Sequence, residues 1–212
     1  MLSLYGGAGF TGFTLEPRTF LARINIASFS RVGGWELAQR LAAWACTDEP
    51  CELVPTNTPG RAFTAILESA SDLQLVRGFG VVEYRFAIPR PFYHSVAENV
   101  VTMPSGGRIL AVGNVPARLS IAHRMAQNAP ALTVCHDGAP FLRLRKPDGE
   151  DIPAGATLSI DMAKKLVRMN GETALDMVDY TATDWREPIR GATEITLSDK
   201  GQTEIRWRDE WM

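Results

Sequence analysis

From Arg108 to its end, the 212-residue chain breaks into eight short alternating segments separated by turn formers, and no other feature restricts its fold as tightly. The segments read RILAV, RLSIAHR, ALTVC, PFLRLRK, TLSIDM, KLVRMN, EITLSD and TEIRWRD, with Gly, Pro, Asn or Asp between them. Side chains on a strand point alternately to two faces, so each segment buries one face and leaves the other to water. Eight such segments at a spacing of roughly 8–12 residues predict antiparallel sheets packed as a β-sandwich. Asn170-Gly171 and Asp199-Lys200-Gly201 are turn signals between strands. In the last segment Trp207 alternates into the core while Arg206 and Arg208 face out.

The first ninety residues follow a different rhythm. Phe20, Ala22, Ile24 and Ile26 alternate with Leu21, Arg23, Asn25 and Ala27, which predicts a strand near 18–28. GGWELAQRLAAWACT places Leu37, Leu41 and Trp44 at helical spacing, so an amphipathic helix with those residues in the core is expected. Pro50 and Pro55 bracket a short extended piece, Cys51–Val54, and TNTPGR turns into RAFTAILES, where Phe63, Ala65 and Leu67 share a face. VVEYRFAIP alternates Val82, Tyr84, Phe86 and Ile88. YHSVAENVVTMPSGG is polar and rich in turn formers, and reads as a crossing between two units. The expected fold is mainly β: a small α+β domain with one helix at 1–92, then an antiparallel β-sandwich at 93–212.

Few residues suggest chemistry. Gly7, Gly9 and Gly12 form G-x-G-x-x-G, the pattern of a dinucleotide phosphate loop. That loop requires a helix directly after it, whose N-terminal amides hold the pyrophosphate. Here Pro17 interrupts any such helix, a strand rhythm follows, and no acidic residue closes a second strand. The stretch is expected to be a pliant N-terminal arm, with no cofactor. His94, His123 and His136 lie far apart in no ligand pattern, so no metal is expected. Cys135 and His136 are neighbours on a strand and point to opposite faces, which separates nucleophile from base and leaves Cys135 as a core thiol. Asp148, Glu150 and Asp151 read as a surface turn, and Arg143, Arg145 and Lys146 as a charged strand edge. No catalytic residue emerges, and an enzyme is not expected.

Net charge is only −2, which does not mark a binder of nucleic acid or of anionic membrane. No apolar run approaches the roughly 20 residues that cross a bilayer, and no basic segment precedes an apolar leader. A soluble protein made in the cytoplasm is expected. Cys46, Cys51 and Cys135 are odd in number and spaced unlike metal ligands, so free thiols are expected. Trp185, Trp207 and Trp211 concentrate near the C-terminus. A sandwich displaying such rings can stack against sugars, which keeps a carbohydrate-binding module or tail adhesin open as an alternative function.

The order of motifs resembles the distal tail proteins of bacteriophages and prophages with long non-contractile tails. In the first part, Arg18 leads a strand, a helix follows, Pro59, Gly60 and Arg61 precede the next strand, and Pro91-Phe92 closes the last. In the second part, Gly155, Ile160, Asp161, Asn170, Gly171, Trp185 and Gly191 stand where the family's C-terminal domain has their counterparts. The resemblance implies structural work in the virion tail tip, by a protein made in the host bacterial cytoplasm. It implies a hexameric ring built from N-terminal domains between tail tube and tip, with galectin-like sandwiches outside as attachment points for tip or receptor-binding proteins. DNA would be transit cargo through the ring, and no catalytic, cofactor or metal residues come with the family. Family members usually carry a further strand ahead of the glycine-rich region. The opening arm is therefore where ring assembly is expected to succeed or fail.

Overall fold

A computed structural model describes residues 17–45, 49–74, 76, 79–185 and 189–212. Gly7, Gly9, Gly12 and Cys46 lie outside the described residues. The chain forms two compact units, one from the described residues of Met1–Leu53 with Phe63–Pro91 and the other from Val54–Ala62 with Phe92–Met212.

In the first unit, β1 (Arg18–Ala27) pairs antiparallel with β4 (Phe79–Ile88) from Arg18↔Ile88 to Ala27↔Phe79. β4 also pairs with β3 (Arg61–Ala70), whose register shifts between Leu67 and Ser69, and β3 pairs with β2 (Cys51–Leu53). The alternation read in β4 is realised, since Val82, Tyr84, Phe86 and Ile88 are all buried.

The helix α1 (Arg31–Ala45) starts directly after Ser30. The Ser30 hydroxyl accepts the Gly33 amide at 3.0 Å, satisfying a donor that a first turn otherwise leaves open, and its carbonyl accepts the Gly34 amide at 3.0 Å as the first bond of the helix. Ser30→Ala is expected to destabilise this helix by about 1 kcal/mol, read as faster amide exchange across α1 with the sandwich unaffected.

The helix does not bury the residues its spacing suggests. Leu37 and Trp44 are exposed and Leu41 is half-buried, whereas Gly34, Ala38 and Ala45 are buried. The facing sheet already supplies bulk through Ile26, Val82 and Tyr84, and small residues let the helix approach it.

The second unit holds two antiparallel sheets. One has the order β10 (Ala139–Leu144), β9 (Leu132–His136), β14 (Gly191–Leu197), β7 (Gly106–Ala111). The other has the order β13 (Glu172–Thr173), β12 (Leu166–Met169), β11 (Thr157–Asp161), β8 (Ser120–Arg124), β15 (Gln202–Trp207), β6 (Asn99–Pro104). Inward residues of both, among them Ile121, Leu132, Val134, Leu158, Ile160, Ile195 and Ile205, form one continuous core. All eight segments read from Arg108 onward are strands. Asp137-Gly138 and Asn170-Gly171 adopt positive φ at both residues, which gives hairpin turns the twist that flanking strands require.

The stretch read as a crossing is not one. It contains β5 (Tyr93–Ser95), all of β6 and the first two residues of β7. Val101 and Met103 pack on the sandwich core, a two-position alternation obscured by the polar residues before it.

Candidate assembly interface

The first unit leaves an unusual amount of apolar surface in water. On α1, Val32 is 69% exposed, Trp44 57%, Trp35 46% and Leu37 41%. Phe29 before the helix and Phe20 and Leu21 on β1 are exposed too. Between α1 and the sheet runs a groove of about 280 Å³ lined by Ile26, Trp35, Ala38, Ala42, Val82 and Tyr84, among others. Single exposed apolar residues are ordinary, but two exposed tryptophans on one helix beside such a groove are the kind of surface that suits a protein–protein contact. Among the described residues β1 is paired on one side only, by β4, and its other edge, ten residues long, carries backbone groups that can add a further strand. The cause lies in the sequence: α1 has two apolar stripes, and the small one docks.

The positions drawn from the motif order fall mainly at turns and element ends. Arg18 opens β1 and is exposed, Pro91 is buried and Phe92 is half-buried. Pro59 and Gly60 sit in an exposed turn ahead of Arg61, whose guanidinium lies 4.1 Å over the Trp211 ring. Gly155 has φ +81°, Gly191 has φ +63° at the start of β14, and Gly171 completes the Asn170 hairpin. Asn170 also accepts the Thr157 amide through Oδ1 at 2.9 Å. Asp161 accepts the Lys164 amide at 2.9 Å, closing the β11–β12 connection, and Trp185 packs half-buried on the sandwich core.

The candidates for chemistry remain apart. Among the described residues no three His, Cys, Asp or Glu side chains gather where a metal could sit. Cys135 is half-buried instead of in the core, because its strand face looks away from the facing sheet. His136 Nε2 lies 3.5 Å from Asp137. Lys146 reaches Asp148 at 3.1 Å and Glu150 at 2.7 Å, a surface cluster in which hydrogen bonds from the Glu150 amide and Lys146 hold the Asp148 carboxyl below its usual range. On the neighbouring loop Asp179 accepts both the hydroxyl and the amide of Thr181, the hydroxyl contributing most to lowering its pKa. Trp207 is buried as expected.

One polar centre escaped sequence reasoning. His123, Asp199 and Thr203 are buried in the sandwich, with His123 Nδ1 2.9 Å from the Thr203 hydroxyl and Nε2 3.0 Å from Asp199 Oδ2. The same carboxylate oxygen accepts the amides of Ala126 at 2.7 Å and Gly201 at 2.8 Å. Burial pushes the Asp199 carboxyl up, but the Ala126 amide, His123 and the Gly201 amide together outweigh it and leave the pKa lowered. Complete enclosure makes this centre a structural clamp. The only hint in the sequence was the Asp199-Lys200-Gly201 turn.

Residues 112–211 match the family model of the siphovirus-type tail component, C-terminal domain. Among solved structures, the chain is similar to the Dit protein (gp 19.1) of phage SPP1, described as a paradigm of the hub adsorption apparatus in phages infecting Gram-positive bacteria. That likeness has a TM-score of 0.72 at 12% identity and covers 94% of this chain and 81% of the other. No curated protein matches the sequence. Residues 112–211 are thus similar to the C-terminal domain of the siphovirus-type tail component, within a chain that shares the Dit fold over nearly its whole length.

Proposed function

We propose that this protein is a structural hub of a phage or prophage tail tip, joining the tail tube to tip and receptor-binding proteins. The observation that carries the reading is the Dit-like fold extending over both units, joined to a family-model match to residues 112–211 of the second. In this reading the N-terminal domain, 1–92, closes into a hexameric ring, and the galectin-like sandwich, 93–212, offers the attachment surface. DNA passes through the ring as cargo, and the protein is made in the bacterial cytoplasm before entering the virion tail. A ring requires heterologous contacts, in which one patch meets a different patch on the neighbour. The exposed face of α1 and the edge of β1 away from β4 would supply two such patches. The work is assembly, without catalysis or cofactor.

Native mass spectrometry with electron imaging tests this reading. A six-fold ring with an open centre is the expected result, and a monomer at all micromolar concentrations would sink it. A carbohydrate-binding role has less support, because Trp207 is buried, Trp185 leans on the core and Trp211 is covered by Arg61. A glycan array with the full chain should therefore show no saturable binding.

A further inference from the structure

We propose that residues Asp209–Met212 form a separable strap that holds the Val54–Ala62 loop against the sandwich unit. These residues make β16 (Glu210–Trp211), which pairs antiparallel with β5 through Glu210↔His94 and Trp211↔Tyr93. The opposite edge of β5 pairs with the first residues of β3, Arg61↔Ser95 and Ala62↔His94. Three-residue β5 thus stands between the C-terminus and the loop. Trp211 and Arg61 meet across it on one face, guanidinium over ring. The Gly60 carbonyl accepts the Val96 amide at 3.1 Å, and within the loop Thr58 and Arg61 donate their amides to Pro55 and Thr58.

The strap is anchored at each of its residues by groups outside the two core sheets or at their margins. Asp209 is buried; its Oδ1 accepts the Val112 amide at 2.8 Å and its Oδ2 accepts the Asn99 side-chain amide at 3.1 Å. Its backbone exchanges bonds with Ser95, the carbonyl accepting the Ser95 amide at 2.9 Å and the amide reaching the Ser95 hydroxyl at 3.2 Å. The Glu210 carbonyl accepts the Val115 amide at 3.1 Å, and the Met212 amide donates to Asn114 Oδ1 at 2.8 Å. A Cβ at Gly113 would lie 2.0 Å from the Glu210 carbonyl oxygen, so the seat is shaped to the strap's backbone.

Neither core sheet includes β16, and neither Trp211 nor Glu210 belongs to the buried sandwich cluster. Removing the strap takes away one neighbour of β5 and the ring over Arg61, while the sheets keep every ladder of their own. Local opening of the loop and β5 is then decoupled from global unfolding. The strap consequently controls whether this loop, which lies between β2 and β3 in sequence, stays part of the sandwich unit.

Limited trypsin digestion and amide exchange test the strap on three proteins: the natural chain, Trp211→Ala, and a chain ending at Arg208. Cleavage after Arg61 and exchange at 58–62 and 93–96 are expected to rise about tenfold in Trp211→Ala and further in the truncation. Amides of β8 and β15 should keep their natural protection in both. Unchanged protection of the loop in either folded variant overturns the proposal. So does loss of protection in β8 and β15 in parallel with the loop, since the C-terminus would then belong to the core.

Discussion

Leu37→Glu combined with Trp44→Glu is expected to convert the assembled protein into monomers whose two units stay folded. Both side chains are exposed on α1, so charging them costs little within one copy. In the proposed ring each would be a desolvated anchor at a subunit contact, and a buried unpaired carboxylate there is unfavourable. Loss of about 2 kcal/mol per anchor weakens each contact by roughly a thousandfold for the pair. Native mass spectrometry reads the subunit count, and thermal unfolding checks the fold. An unchanged oligomer would place the contact elsewhere. The edge of β1 away from β4 would then be the next surface to charge, through Leu21, whose side chain is exposed.

The strands of the sandwich were legible because each carries its own period-two pattern and a turn residue whose backbone preference is local. Asp137-Gly138 and Asn170-Gly171 need no tertiary help to favour a hairpin. The helix was legible as a helix but not in its orientation. Leu37, Leu41 and Trp44 form the more hydrophobic stripe, and a monomer on its own would bury it. Gly34, Ala38 and Ala45 dock instead, since the sheet beneath is filled by Tyr84, Val82 and Ile26, and most of the large stripe stays exposed among the described residues. β5 and β16 were illegible for a different reason. Two or three residues carry no periodicity, and these strands exist only because distant segments supply partners, as Ser95 does for Asp209. His123 and Asp199 belong to the same class, because their meeting depends on the register of β8 with β15.

Asp199→Ala is expected to lower the stability of the sandwich unit by about 3–5 kcal/mol, the usual effect of removing one partner of a buried pair. The physical reason is the number of groups left behind. Three donors converge on Asp199 Oδ2, the His123 ring, the Ala126 amide and the Gly201 amide, and Ala replaces none of their bonds. An ionised carboxylate only accepts, so His123 Nε2 carries the proton it donates, and Nδ1 pairs with the Thr203 hydroxyl. The turn has little room to adjust: a Cβ at Gly201 would lie 1.8 Å from the Arg124 carbonyl oxygen. Because the Asp199 pKa is lowered by folding, its ionised form favours the native state. That contribution is complete above the carboxyl pKa of the unfolded chain, near 3.9, and disappears as pH falls through the lower folded value. Urea unfolding of the natural protein should therefore lose stability in that acidic window, and Asp199→Asn should show a shallower loss there on top of a lower value at neutral pH. Equal slopes in the two proteins would assign the acid sensitivity to other carboxylates, of which Asp179 is the first to test by the same substitution.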